Sequence, residues 1–271
     1  MKTSNELLSS AHELICPILT EAGKIMLGAT DIDGEGGVSE KPGTANFVTL
    51  YDIRVQKYLM KELSARFEDA YFIAEEKEND AESLRHPCCF VIDPIDGTTN
   101  FIHEYNHSCI SLALLSYGEV IYGAVYDPYL GELFHAEKGK GAYLNGKPIK
   151  VSQHPLNYAL TAFGTAPYCK DTLLEKTFAL VSELCRDTAD IRRCGSAALD
   201  MAYLAAGRND IFFEFMLSPW DIAAGSLLIT EAGGVITDMK GNPISFAEPG
   251  SILAATENLH GDVLERTKKY F

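Results

Sequence analysis

The chain has 271 residues, 46% of them hydrophobic and 10% aromatic, a globular composition that excludes disorder, fibre and collagen. Lys and Arg number 23 against 38 Asp and Glu, a formal net charge of −15 that repels phosphate backbones and anionic lipid. Nucleic-acid and membrane-surface binding are therefore not expected, and any anionic ligand needs local cations or backbone N–H groups.

Residues 4–28 carry Leu7, Leu8, Ala11, Leu14, Ile15, Ile18, Leu19, Ala22, Ile25 and Met26 at helical spacing, with Ser4 as cap and Gly28 as stop. The run 31–46, rich in Gly and charge, reads as a mobile loop. An amphipathic helix follows over 52–66. Strands are predicted at 71–74, 88–93, 108–117, 119–128 and 131–137, with hairpin turns at Tyr117-Gly118 and 128–131 and a tight turn at 144–147. Beyond them come a strand at 159–163, a helix at 172–186, a strand at 191–193, a helix at 195–206 and a strand at 211–214. A helix at 221–232, strands at 235–238 and 252–255 and a helix at 260–269 close the chain. Hairpins first and alternation second predict a layered protein of α/β (α+β) class, with residues 1–150 and 151–271 as two halves sharing one cleft.

The cysteines Cys16, Cys88, Cys89, Cys109, Cys169, Cys185 and Cys194 are odd in number and scattered, which reads as reduced thiols in a cytosolic protein. No paired His or Cys spacing points to zinc. The opening MKTSNELLSS lacks the basic start and apolar run of a signal peptide. Apolar stretches such as 201–206 fall far below the ~20 residues of a membrane helix. A cytoplasmic protein is expected.

The densest chemistry lies in VIDPIDGTTNF, residues 91–101. Asp93 and Asp96, three apart around Pro94, can converge on one point, and hard divalent cations such as Mg²⁺ take such oxygen ligands together with substrate phosphate oxygens. Asp96-Gly97-Thr98-Thr99 also resembles a helix start, where free N–H groups favour an anion. Taken alone, Asp93 and Asp96 are adequately explained as turn and cap residues, which is what Asp-x-x-Asp-Gly usually is. Glu75-Glu76 after the strand at 71–74 could be solvated, while Asp52 and Asp221 could each simply cap a helix.

Together these pieces resemble the inositol monophosphatase family of metal-dependent phosphatases. The matching segments run in order: Lys41 and 46–52 (NFVTLYD), Glu75-Glu76, 93–101 (DPIDGTTNF), 195–198 (GSAA), Glu214, 220–225 (WDIAAG) and 231–234 (EAGG). The resemblance implies an αβαβα sandwich, commonly a homodimer, that hydrolyses a small-molecule phosphate monoester with two or three Mg²⁺ ions. It implies Glu75, Asp93 and the Ile95 carbonyl around one ion, Asp93, Asp96 and Asp221 around a second, and a weaker third near Glu75. Gly97 and Thr98 would face the phosphate. Thr98, supported by Asp52 and with Glu75, would orient the attacking water. Gly195, Ser196, Ala197 and Glu214 would line the alcohol side, and Li⁺ would inhibit.

Inositol monophosphate is the expected substrate. A broad-specificity sugar or polyol phosphatase, acting on fructose-1,6-bisphosphate, histidinol phosphate or similar, is the alternative. A catalytically silent regulatory protein would be expected to lose at least one ligand, yet every carboxylate is present. Departures from the family pattern fall at Ala74, at Asn106 where proline is common, at Ser218-Pro219 and in the glycine-rich stretch 34–37. His103 and His107 are expected to pack or hydrogen-bond, Trp220 to anchor the Asp221 turn, and Lys41 to be solvated.

Overall fold

The computed structural model describes residues 4–34, 37–41 and 47–270. The Ser4 cap, the side chains of Leu7 and Leu8, residues 35–36 of the glycine-rich stretch and Asn46 lie outside the described residues.

Helix α1 (Ser4–Leu27) buries Ala11, Ile15, Ile18, Leu19, Ala22 and Met26, one stripe at helical spacing. Helix α2 (Leu50–Ser64) lays Val55, Leu59 and Leu63 beside it. Both cover one face of a seven-stranded sheet. In sheet order this comprises β3 (Tyr71–Ala74), β4 (Cys89–Asp96), β5 (Cys109–Ser116), β6 (Glu119–Asp127), β7 (Glu132–Glu137), β8 (Gly141–Leu144) and β9 (Lys147–Ile149). All neighbours are antiparallel except β3 and β4. Side chains alternate across it: Phe90 and Ile92 join the α1–α2 cluster, while Cys89 and Val91 face the other way.

That second face meets α5 (Ala197–Ala205) and α6 (Pro219–Glu231), which are apolar nearly all round because they lie between two sheets. The second sheet has the order β11 (Asp190–Arg192), β10 (Leu160–Phe163), β12 (Ile211–Leu217), β14 (Gly250–Thr256), β13 (Gly234–Thr237). It gives Ala162, Phe212 and Ala254 to the middle layer and Phe163, Phe213 and Leu253 to the outer helices α4 (Lys170–Asp187) and α7 (Glu257–Thr267). The layers run α, β, α, β, α, as the resemblance implied.

Local chemistry explains where the predicted elements shift. Tyr117-Gly118 and Asn145-Gly146 all take positive φ, the backbone of tight two-residue hairpins. Part of the expected loop is instead a strand, β1 (Val38–Glu40), paired antiparallel with β2 (Phe47–Thr49). Three residues are too few to show a period in sequence. Helix α2 starts two residues earlier than predicted because Thr49, not Asp52, is its cap. Asn106 sits at φ 55, a left-handed conformation that the proline ring, locked near −65°, cannot reach.

Helix α6 sits unusually close to the first sheet. A Cβ added to Gly123 of β6 would lie 2.8 Å from the Ala224 carbonyl oxygen and 3.0 Å from its Cα, both backbone atoms that cannot rotate away. Gly123→Ala is therefore expected to cost ~1–3 kcal/mol through overpacking, lowering Tm by about 2–12 °C. A thermal melt with unchanged Tm would show that α6 is free to shift.

Candidate active site

Strands β3 and β4 run parallel with Ala74, the last residue of β3, paired to Ile92, so Glu75, just past β3, comes against Asp93. In a regular strand Asp93 and Asp96 would face opposite sides of the sheet. A bulge changes that: Asp93 pairs with Ser111 and Asp96 with Cys109, so three steps on β4 oppose two on β5. Within the bulge the Ile95 N–H donates to Asp93 Oδ1 at 3.0 Å. Carboxylate oxygens of Asp93, Asp96 and Asp221 consequently lie within 4.8 Å of one another.

Three helix N-termini meet at the same place, and each gives its free N–H groups to an acidic side chain. Asp52 Oδ2 accepts from the Thr49 N–H at 2.7 Å at the start of α2. Asp221 Oδ2 accepts from the Ser218 N–H at 2.6 Å at the start of α6. Asp96 accepts from the Ala198 N–H at 2.7 Å and from the Ser196 hydroxyl, at the start of a helix a hundred residues away. The cap expected at Asp52 and Asp221 thus lies three residues earlier in each helix, at Thr49 and Ser218. Asp96 does not cap its own helix α3 (Thr98–Ile102). Gly97 does, at φ 91, where a Cβ would press on the Gly195 and His107 carbonyl oxygens at 3.1 Å.

The carboxylates floor a cavity of about 380 Å³. Glu75, Asp93, Ile95, Asp96, Gly97, Thr98, Gly195, Ser196, Ala197, Glu214 and Asp221 all line it. Asp52 stands behind this wall, where its Oδ1 accepts from the Thr98 hydroxyl at 3.3 Å; the same hydroxyl is 3.1 Å from the Ile95 carbonyl oxygen. On β12, Glu214 accepts from the Ala166 N–H at 2.8 Å.

Burial, with repulsion from neighbouring carboxylates, raises the pKa of Asp52, Asp93, Asp96, Glu214 and Asp221. Asp93 is held well above the usual carboxylate range by burial, then by Glu75, Asp96 and Asp221. Asp221 is raised in the same way by burial, Asp96 and Glu75. Burial lifts Asp96 to about 6 against the bonds from Ser196 and Ala198, and lifts Asp52 and Glu214 to about 7 each. Such a buried like-charge cluster with only oxygen donors fits a hard divalent cation, which would offset the repulsion and fill the ligand positions left on each carboxylate.

The inositol monophosphatase family profile matches residues 8–270. This chain belongs to the inositol monophosphatase family. An inositol-1-monophosphatase of Caulobacter vibrioides is 36% identical over 231 residues, 84% of this chain and 90% of that protein. A Nus factor SuhB of Pasteurella multocida is 37% identical over 224 residues, 82% and 83% of the two chains. Among solved structures, the Thermotoga maritima IMPase superposes with a TM-score of 0.86 at 31% identity, covering 96% of this chain and 97% of its own.

Residues of less obvious role sharpen the site. Lys41, expected to be solvated, is drawn in: its Nζ donates to Glu75 at 2.9 Å and to Glu76. Burial opposes its charge, yet the two glutamates leave its pKa raised. Arg193, Lys170 and Tyr168 line the cavity and were not singled out from sequence. The Arg192-Arg193 pair just before Cys194-Gly195 in so acidic a chain was the available signal. Trp220 packs into the middle-layer core while its carbonyl accepts from Ser111 at 3.2 Å, an anchoring role, though its side also reaches the cavity. His103 is exposed, and neither His103 nor His107 lines the cavity.

Proposed function

We propose that this protein hydrolyses inositol monophosphate to inositol and phosphate by direct attack of water, with two or three Mg²⁺ ions per site. The convergence of Asp93, Asp96 and Asp221 oxygens within 4.8 Å at the floor of an open cavity carries this reading. Glu75, Asp93 and the Ile95 carbonyl would hold one ion, Asp93, Asp96 and Asp221 the second, and Glu75 would neighbour a third. Once bound, the ions acidify water, neutralise phosphate charge and stabilise the departing alkoxide.

The chain's own groups supply orientation. Gly97 and Thr98 receive the phosphate at the wall of the cavity. Thr98 fixes the attacking water with Glu75, and Asp52 steadies the Thr98 hydroxyl from behind. Ser196 donates its hydroxyl hydrogen bond to Asp96, so its part is to hold that carboxylate while Gly195 and Ala197 shape the alcohol side. Glu214, in the cavity lining, would accept polyol hydroxyls. Arg193 and Lys170, with Lys41, bring positive charge to the lining of a cavity rich in carboxylates. Residues 1–150 and 151–271 act as two halves closing this one cleft, in a cytoplasmic homodimer. No described helix is long and apolar enough to cross a membrane.

Phosphate release from inositol, sugar, polyol and nucleotide monophosphates, with and without Mg²⁺, tests the proposal. Release from inositol monophosphate that stops on chelation is expected, as is inhibition by Li⁺. Equal rates on sugar and polyol phosphates would select the broad-specificity alternative, and no release from any of them would overturn phosphatase activity itself.

A further inference from the structure

We propose that His107, Cys194 and Asp200 form a second cation site, separate from the carboxylate cluster and selective for a borderline-soft ion such as Zn²⁺. A ring nitrogen of His107, the Cys194 sulfur and a carboxylate oxygen of Asp200 lie within 4.8 Å of one another. The residues are 87 and 93 positions apart at their widest, from the loop after α3 and from the segment that opens α5, so no ligand spacing shows in sequence.

Several features make this a site and not a chance grouping. Asp200 is 2% exposed, and its Oδ1 has no hydrogen-bond partner. The Nε2 of His107 is likewise buried and unpartnered. Buried polar atoms are rarely left so, and a bound ion is one of the few explanations. The backbone at two of the three residues is tied together from outside: Asn100 Nδ2 donates to the His107 carbonyl at 2.7 Å and to the Cys194 carbonyl at 2.9 Å. Burial first, then Asp96 and Glu214, raise the Asp200 pKa, against the Cys194 thiol and Arg193, so an uncompensated negative charge there is unfavourable. Burial lowers the His107 pKa against the opposing pull of Asp127, which favours the unprotonated ring that ligates.

The donor set decides the metal. Zinc bonds of ~2.0–2.3 Å place tetrahedral ligands roughly 3.3–3.7 Å apart, within reach of these atoms after small side-chain rotations. Nitrogen and thiolate donors select zinc or cobalt over magnesium, whereas the all-oxygen cluster around Asp93 does the reverse. Binding expels the Cys194 thiol proton to the solvent and leaves a fourth position for water. Because Asp200 also lines the cavity, an ion there would clamp the loop after α3 to the wall carrying Gly195, Ser196 and Ala197.

Titration of the intact protein with Co²⁺ in excess Mg²⁺ tests the site, in a buffer with a non-thiol reductant. One equivalent should develop a thiolate-to-cobalt charge-transfer band in the near ultraviolet, and one equivalent of Zn²⁺ should abolish it. The band should persist in Asp93→Asn and vanish in Cys194→Ser. His107→Gln should weaken Co²⁺ at least ~10-fold, and it carries the test alone if Cys194→Ser fails to fold. Absence of a thiolate band, its survival in Cys194→Ser, or unchanged affinity in His107→Gln would overturn the proposal.

Discussion

Asp93→Asn is expected to lower Mg²⁺-dependent phosphate release on the order of 10³-fold or more while raising the Tm of the metal-free protein. The first effect follows from position: Asp93 faces Glu75, Asp96 and Asp221 at once, so its loss removes the proposed bridge between two ions. Several kcal/mol of charge stabilisation depends on those ions, and each ~1.36 kcal/mol is tenfold in rate. The second effect follows from burial. Asparagine keeps an oxygen for the Ile95 N–H and offers an amide to the neighbouring carboxylates, so one repelling charge becomes a donor. A gain of about 1–2 kcal/mol, roughly 2–8 °C in Tm, is expected without metal. Phosphate release and thermal melts of wild type and variant check both halves. Near-normal turnover would remove Asp93 from the ligand set, and a lowered Tm would make it a structural residue.

The same residues show what a sequence can carry. Helix α1 was legible because its apolar positions keep a helical period for more than five turns, and β4 and β5 because largely apolar runs end in turn residues. The strand β1 was not, since three residues in a charged segment have no periodicity to read. Asp93 and Asp96 were legible as a pair, but their joint orientation depends on a bulge set by the partner strand β5, which no local pattern reports. Asp96 looked like a cap and is one, for a helix that starts a hundred residues later. Lys41 shows the converse: a lone lysine beside glycines looks solvated until β1 places it between Glu75 and Glu76. Local chemistry therefore survives translation into structure, whereas groupings made by chain crossing, such as His107 with Cys194 and Asp200, become visible only once the layers are stacked.

Adding Mg²⁺ should raise the Tm of the chelated protein, and by more at higher pH. Asp96 is lifted to about 6 in the folded state, and Asp93 and Asp221 well above their ordinary value, chiefly by burial. A carboxyl whose folded pKa exceeds its unfolded value binds its proton more tightly when folded. Its contribution is therefore fully present below about pH 4 and is lost as pH climbs through 6 and beyond. Metal-free protein should accordingly lose stability across that window, less steeply in Asp93→Asn. Cations bind the deprotonated carboxylates, so they oppose the loss where it is greatest. At a concentration ~100 times its Kd, one ion stabilises by about 2.7 kcal/mol, roughly 5–11 °C in Tm. Melts at pH 5 and pH 8, with chelator and with Mg²⁺, measure the difference directly. A magnesium shift that is absent, or equal at the two pH values, would mean that these carboxylates do not titrate as a buried cluster relieved by metal.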